Sequence, residues 1–191
     1  TPDKVAGLNV VGTYTANFEE DTDVTINYEA TTGGSVDPTS ETLAPATGNA
    51  AGSTATADSG YHFVNWTDSG SNIVGTAFHF TPDKVAGLNV VGTYTANFTI
   101  IRYTITATAG PDGTISPIGD VIVDHSDDQS FTMTPDQEYR VADVLVDGVS
   151  VGAVDAYDFN NVTANHTIHV TFELNPCCDL TNKFNLGKQN G

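Results

Sequence analysis

The stretch TPDKVAGLNVVGTYTANF occurs twice in this chain, at Thr1–Phe18 and at Thr81–Phe98, with all 18 residues identical. The two copies begin 80 residues apart, and chance does not produce identity over such a length. We therefore infer the duplication of a unit about as long as that spacing. The first copy corresponds to the end of a unit, so the chain is expected to begin inside one.

Four segments follow from this spacing. We expect a closing strand of a preceding repeat, then two modules, then a C-terminal extension that does not continue the pattern. The predicted limits are 1–20, 21–98, 99–174 and 175–191. The junction Thr99–Arg102 is short and apolar, which predicts a tight joint between the two modules rather than a flexible linker.

Composition favours an all-β fold. Thr and Val, which favour strands, and Gly, Asn and Asp, which favour turns, are abundant. Short strands recur at the 8–12-residue spacing that is typical of small sandwiches and barrels. We predict two small tandem β-sandwich-like repeat modules with terminal extensions, and a β-grasp-like arrangement is the alternative left open.

The chain is strongly acidic, with six Lys and Arg against 24 Asp and Glu and a formal net charge of −18. Such a chain repels phosphate backbones and anionic lipid surfaces. Nucleic acid is therefore excluded as a partner. No apolar run is long enough to span a bilayer, so membrane insertion is not expected either.

The repeated stretch predicts a loop followed by a strand. Thr81 and Pro82 resemble a helix N-cap with Pro in the first turn, so Pro82–Leu88 is either one short helical turn or a structured loop. Asn89–Phe98 alternates apolar and polar residues and predicts a strand. The apolar face of this strand consists of Tyr94, Ala96 and Phe98.

The first copy of the stretch predicts the same strand without the rest of its module. An isolated hairpin is barely stable in water and cannot bury large side chains. We therefore expect the strand to pair with a neighbouring module or with another subunit, through Tyr14, Ala16 and Phe18. The alternative is that residues 1–18 are simply where a longer array has been cut.

The sequence predicts that the two modules are divergent copies of one fold. Tyr103–Ala109 matches Val24–Ala30, and Tyr157–Phe159 is matched to Phe78–Phe80. Asp147 and the Gly after it are a strong hairpin signal.

Two segments of the first module lead to specific expectations. Tyr61–Trp66 is its heaviest strand, and strict alternation places Phe63 and Trp66 on opposite faces. Thr39–Ala57 is rich in small residues and is expected to add little core.

The second module resembles the divergent InlB B-repeat domain of bacterial surface proteins, through YTITATAGPDGTISPIGDV, TPDQEYRVADVLVDGVSVGAV and YDFNNVTANHTIHVTFEL. The first module is similar to Listeria–Bacteroides repeats of the same group, through GGSVDPTSETLAPATG, DSGYHFVNWTDSGSNIV and TYTANF. The resemblance covers about residues 21–174 and part of 1–18. It implies an extracellular, cell-surface location and a spacer, stalk or adhesive role, with no catalytic residues. Relatives are β-grasp-like with one helix, but no amphipathic helical stretch is visible here.

Acidic residues and histidines are the candidate metal ligands of this chain. The acidic clusters Glu19–Asp23 and Asp124, Asp127 and Asp128 could bind Ca²⁺ through carboxylates and loop carbonyls, although neither has EF-hand spacing. Solvated turns are the other interpretation. The five histidines show no zinc spacing; they are His62, His79, His125, His166 and His169. No cofactor is predicted, and Ca²⁺ is kept as the alternative.

Other side chains are candidates for modification or contact. Cys177 and Cys178 are candidate disulfide residues, and since a bond between neighbours is strained, pairing with another chain or segment is the alternative. Trp66 and Tyr61 are either core residues or a platform for sugars. Four Asn-X-Thr triplets are candidate N-glycosylation sites. They begin at Asn65, Asn97, Asn161 and Asn165.

Three functions stay open on sequence alone. The first is a non-enzymatic structural or adhesive segment of an exported bacterial protein, forming a stalk or fibre whose partners are neighbouring modules and other copies. The second is a subunit of an extracellular filament joined by strand donation from residues 1–18. The third is a carbohydrate-binding module for host or environmental glycans. No nucleophile elbow or cleft carboxylate pair appears, so no enzyme is predicted.

Overall fold

The computed structural model describes residues 4–176 apart from 10, 11 and 14. Within these residues the chain consists of strands, turns and loops and contains no helix, which confirms the all-β prediction. Three candidate residues, Tyr14, Cys177 and Cys178, lie outside the described part of the chain.

The leading segment contains one small hairpin. It is formed by β1 (Lys4–Val5) and β2 (Leu8–Asn9), which pair antiparallel. The residues between this hairpin and the first module form no strand where the structure describes them, at 12, 13 and 15–23.

Each module has eight strands. The strands of the first module are β3 (Val24–Ala30), β4 (Gly34–Asp37), β5 (Ser40–Leu43), β6 (Ser53–Ala57), β7 (Tyr61–Thr67), β8 (Ile73–Gly75), β9 (His79–Phe80) and β10 (Gly92–Ile100). Those of the second module are β11 (Arg102–Ala109), β12 (Gly113–Ser116), β13 (Gly119–Asp124), β14 (Gln129–Pro135), β15 (Tyr139–Val146), β16 (Val149–Gly152), β17 (Ala156–Phe159) and β18 (His166–Leu174).

The two modules have the same topology. A five-stranded sheet has the order β5-β3-β10-β7-β8 in the first module and β13-β11-β18-β15-β16 in the second. A three-stranded sheet has the order β4-β6-β9 and β12-β14-β17. In both modules the first and last strands pair parallel at the centre of the larger sheet. The prediction of tandem β modules is therefore confirmed.

The core of each module lies between its two sheets. In the first module the buried apolar residues are Ile26, Tyr28, Ala55, Trp66 and Ala96. In the second they are Ile105, Ala107, Ile115, Val123, Phe131, Met133, Val141, Val144, Phe159, Val162, Ile168 and Val170. Both sheets contribute to each set, so each module is a two-layer sandwich.

Strand β7 departs from simple alternation. Phe98 of β10 pairs with Phe63, and the residue before Phe98 pairs with Asn65, so Val64 is the extra residue of a β-bulge. The bulge turns both Phe63 and Trp66 toward the core. The prediction that they lie on opposite faces is wrong, because a bulge depends on the partner strand and leaves no mark in the alternation.

The second copy of the repeated stretch begins with a tight turn, and the helical alternative for it is wrong. Val85 and Leu88 exchange backbone hydrogen bonds of 2.9 and 3.0 Å, and the residues between them have φ of 50° and 83°. The first copy makes the same turn, with φ of 50° at Ala6 and 80° at Gly7. Two successive residues with positive φ define the tight hairpin turn of type I′.

Two smaller expectations also change. Residues 39–57 supply strands β5 and β6, and Ser53 and Ala55 are buried, so this segment adds more core than expected. Phe80 pairs with Ser53 on β6, and Tyr157 pairs with the buried Phe131 on β14. Phe80 therefore corresponds to Tyr157, two residues away from the match made on sequence.

Candidate functional site

The joint between the modules is the best-defined candidate. Ile101 is the single residue between β10 and β11. Its N–H donates to the carbonyl oxygen of Gly60 at 2.8 Å, and its own carbonyl accepts the N–H of His125 at 2.9 Å. Gly60 belongs to the turn before β7, and His125 follows β13. One linking residue is thus hydrogen-bonded to both modules, as the short apolar junction predicts.

Side chains pack around the same joint. The hydroxyl of Tyr103 lies 3.3 Å from Nδ1 of His125, and the two ring centroids are 5.9 Å apart. Gly60 is buried, whereas Ile101, Tyr103 and His125 are half-buried. Tyr103 and His125 both belong to the second module, and the His125 ring lies against Gly60 of the first, where an added Cβ would be 2.8 Å from Cγ. The modules therefore contact each other at Gly60 and His125 as well as through the chain.

The link before the first module is fixed by Glu20. Its carboxylate accepts hydrogen bonds from the N–H groups of Ala46 and Thr47, at 2.5 and 2.8 Å, and from the Thr47 hydroxyl at 2.7 Å. The hydrogen bonds from Thr47 hold the pKa of Glu20 below its usual value. Lys84 donates to the carbonyl of Ala46 at 2.7 Å. This part of the acidic link Glu19–Asp23 binds the protein's own loop.

The second repeated stretch holds that loop from the other side. The side-chain nitrogen of Asn89 donates to the carbonyls of Ala44 and Gly48, at 3.0 and 2.9 Å. Its backbone N–H donates to the carbonyl of Pro45 at 2.7 Å, and Asn89 is buried. The loop after β5 is therefore an ordered docking point for the chain segments on both sides of the module.

The candidate strand residues of the first copy are exposed within the single chain. Phe18 has 91% of its surface exposed, and Ala16 is also exposed. Their counterparts in the second copy, Phe98 and Ala96, are half-buried and buried in the centre of the five-stranded sheet. Tyr14 lies outside the described residues. Pairing of this strand with another copy stays a prediction.

Several of the acidic and histidine candidates have protein partners. Asp124 binds the guanidinium of Arg102 at 2.7 Å, and Asp128 accepts the N–H of Asn161 at 2.7 Å. His166 donates through Nδ1 to Asp147 at 2.7 Å. Among the described residues no group of three or more His, Cys, Asp or Glu is placed to hold a metal ion. Ca²⁺ binding stays an untested prediction.

The glycosylation candidates fall into two environments. Asn97 and Asn65 are half-buried on adjacent strands, and Nδ2 of Asn97 donates to Oδ1 of Asn65 at 2.9 Å. Asn161 and Asn165 are exposed in the loop before β18, where Oδ1 of Asn165 accepts the N–H of Thr104 at 2.9 Å. Modification at all four stays a prediction.

Trp66 cannot serve as a sugar platform. It is fully buried, and its Nε1–H donates to the carbonyl of Phe78 at 3.3 Å. The Tyr61 ring lies against Gly33 and is half-buried. The aromatic surface that the carbohydrate-binding hypothesis needs is therefore not formed by this pair. In the described part of the chain no pocket is found, and no helix is long and apolar enough to cross a bilayer.

Sequence reasoning anticipated the tight joint but not its key residues. Gly60 and His125 are hydrogen-bonded to the backbone of the linker residue Ile101, and Glu20 is hydrogen-bonded to the loop after β5. Each of the three looks like an ordinary turn or linker residue in the sequence. Gly60 and Glu138 directly precede the corresponding strands β7 and β15. The contrast between glycine and glutamate at this position is the signal that could have identified Gly60.

Residues 24–102 match the family of divergent InlB B-repeat domains. The match falls on the first module, whose motifs resemble the Listeria–Bacteroides repeats of the same group. The second module, which carries the motifs of the InlB B-repeat resemblance, repeats its topology. InlB B-repeats are typical of bacterial surface proteins. The family and the all-β repeat fold point to a non-catalytic module. None of the curated proteins and none of the solved structures compared with the chain matches it.

Proposed function

We propose that the two modules form a stiff spacer within a bacterial surface protein, holding neighbouring parts of that protein at a fixed separation. The observation that carries this proposal is Ile101, the single residue between β10 and β11, which is hydrogen-bonded to both modules. A link of one residue leaves no slack for the modules to swing freely.

Charge supports the same role. The net charge of −18 makes copies of the chain repel one another and keeps them soluble on a crowded surface.

The larger sheets of both modules have their first and last strands paired at the centre, so tension applied along the chain enters each module at interior strands. Interior strands are hydrogen-bonded on both sides, which resists local unfolding.

A length-replacement experiment tests the spacer role. In the bacterium that carries the protein, residues 24–174 are deleted or are replaced by an unrelated rigid tandem domain of equal length. The deletion is expected to abolish the surface function, and the unrelated spacer is expected to restore it. If only the native sequence restores function, the modules are adhesive and the spacer proposal is wrong.

Strand donation is a second candidate, favoured by one observation. The sequence of residues 12–18 forms the central strand β10 in the second copy, but it is exposed and forms no strand at the described positions of the first. Donated strands complete sheets in other known assemblies. Deleting residues 1–18 should then abolish any fibres formed by the full chain. Unchanged assembly of the truncated chain rules out donation.

A further inference from the structure

Gly60 at the joint has a counterpart in the second module, Glu138. Both residues end the turn before a long strand, with φ of 82° and 73°. In both turns the following Tyr donates its N–H to the carbonyl of the Asp three positions earlier, at 3.1 Å. Glu138 shows that this turn accepts a side chain at positive φ. The backbone alone therefore does not require glycine at residue 60.

The neighbouring module requires it instead. A Cβ added at Gly60 would lie 2.8 Å from Cγ of His125 and closer still to Cδ2. Real Cβ atoms do not approach a ring so closely, so the His125 ring would have to leave its place. Gly60 is buried under this ring, whereas Glu138 is exposed.

The other half of the joint also differs between the modules. Leu43 of β5 pairs with Val24, and Val123 of β13 pairs with Tyr103, which corresponds to Val24. Leu43 and Val123 therefore hold the same position in the two modules. Two residues later come Pro45 and His125. Proline has no N–H, so Pro45 cannot donate as His125 does to Ile101.

We propose that Gly60 and His125 are a matched pair that sets the order of the modules. The turn at Gly60 accepts a module of this fold whose residue after the β13-type strand supplies an N–H and a flat ring. At the position of Gly60 the second module has Glu138, which carries a side chain. At the position of His125 the first module has Pro45, which has no N–H. Consequently, two copies of the chain do not stack end to end through the contact that joins the modules within one copy.

The test is a measurement of module tumbling by ¹⁵N relaxation on the full chain. In the native protein both modules are expected to share one rotational correlation time. Gly60→Ala is expected to uncouple them, with each module's correlation time falling toward the value for a separate module. The matched control is Gly148→Ala, since Gly148 has φ of 77° but nothing within 4 Å of an added Cβ. It should leave the tumbling unchanged.

Two further variants separate the ring contact from simple misfolding of the turn. His125→Ala leaves the Gly60 turn intact and is expected to loosen the joint by itself. Gly60→Ala in the His125→Ala background should then have no additional effect. Shared tumbling in both single variants would overturn the proposal, and so would a Gly60→Ala effect of equal size with and without the ring. Neither readout depends on the spacer function.

Discussion

At the scale of single residues, both modules have a glycine where an aromatic ring of the larger sheet packs against the backbone of the three-stranded sheet. A Cβ added at Gly113 would lie 2.5 Å from Cζ of Phe172, and Gly34 faces Phe98 in the same way. Each glycine lies four residues after the end of the first strand of its module, but the sequence does not show the reason for it. The reason is a close approach between β12 and β18, which only the folded sheets reveal.

Gly113→Ala tests this contact. The added methyl group displaces the Phe172 ring and should lower the free energy of unfolding by about 1–3 kcal/mol, as overpacking of a core does. Gly110→Ala is the control, because its Cβ would have its nearest contact at 3.5 Å from the carbonyl of Val170. Urea denaturation followed by circular dichroism measures both. Equal effects of the two changes would show that the ring contact is unimportant.

Asp147 makes the stability of the fold depend on pH. Its carboxylate accepts hydrogen bonds from Nδ1 of His166 and from the N–H of Thr167, at 2.7 and 2.8 Å. The bond from His166, helped by the one from Thr167, lowers the pKa of Asp147 below its usual value. A carboxylate with a lowered pKa stabilises the fold above its unfolded pKa, and this contribution is lost as pH falls through the native pKa.

Asp147→Asn should therefore lower the melting temperature at pH 6 by more than it does below pH 4. Asn tolerates the φ of 50° at this turn position, so the hairpin itself is kept. Melting curves of both proteins across this pH range provide the measurement. A difference that stays constant down to pH 3 would mean that the carboxylate's charge contributes nothing.

At the scale of strands, the modules fill one architecture with opposite distributions of volume. The first module places Tyr28 and Trp66 on the larger sheet and the small Ser53 on the smaller one. The second module reverses this. At the corresponding positions it has Ala107, Val144 and Phe131. Alternation correctly placed Tyr94, Ala96 and Phe98 on one inward face of β10, but it failed at the bulge of β7. The sharing of volume between the sheets is a tertiary property that no single strand encodes.

Exchange of volume within the first module tests this compensation. Trp66→Val should cost on the order of 3 kcal/mol through the cavity that it leaves. Ser53→Phe alone should cost about 1–3 kcal/mol through overpacking. Together they should cost less than the sum, which a double-mutant cycle of unfolding free energies measures. Strict additivity would show that the two positions do not share one space.

At the scale of the whole molecule, the repeated stretch separates local from tertiary information. Both copies make the same turn, at Ala6–Gly7 and at residues 86 and 87, so the turn is encoded locally. Among the residues that the structure describes, only the second copy forms the long strand, because β3 and β7 flank it there. Sequence analysis therefore succeeded for the all-β class and the tandem plan, and only in part for this turn, which it left between a helical turn and a loop. It could not decide where the first copy pairs, since identical residues behave differently without neighbours.

This identity also sets the condition for strand donation. Residues 12–18 of another copy would make the same contacts as β10, and the tethered β10 competes at an effective concentration in the mM range. Donation into the place of β10 should therefore be negligible at micromolar concentration. We expect the native chain to sediment as a monomer there. Oligomers at that concentration would show that the donated strand docks on a different surface.

Ala96→Asp is expected to promote assembly through the donated strand. Ala96 is fully buried at the centre of β10, so an aspartate there weakens the chain's own strand while residues 12–18 keep the intact sequence. Thr99→Asp, at an exposed position of the same strand, is the control with the same added charge. Sedimentation velocity should show oligomers at micromolar concentration for Ala96→Asp alone. Removing residues 1–18 from that variant should abolish them, because the donor is then gone, whereas association that survives the removal would be aggregation of an unfolded chain.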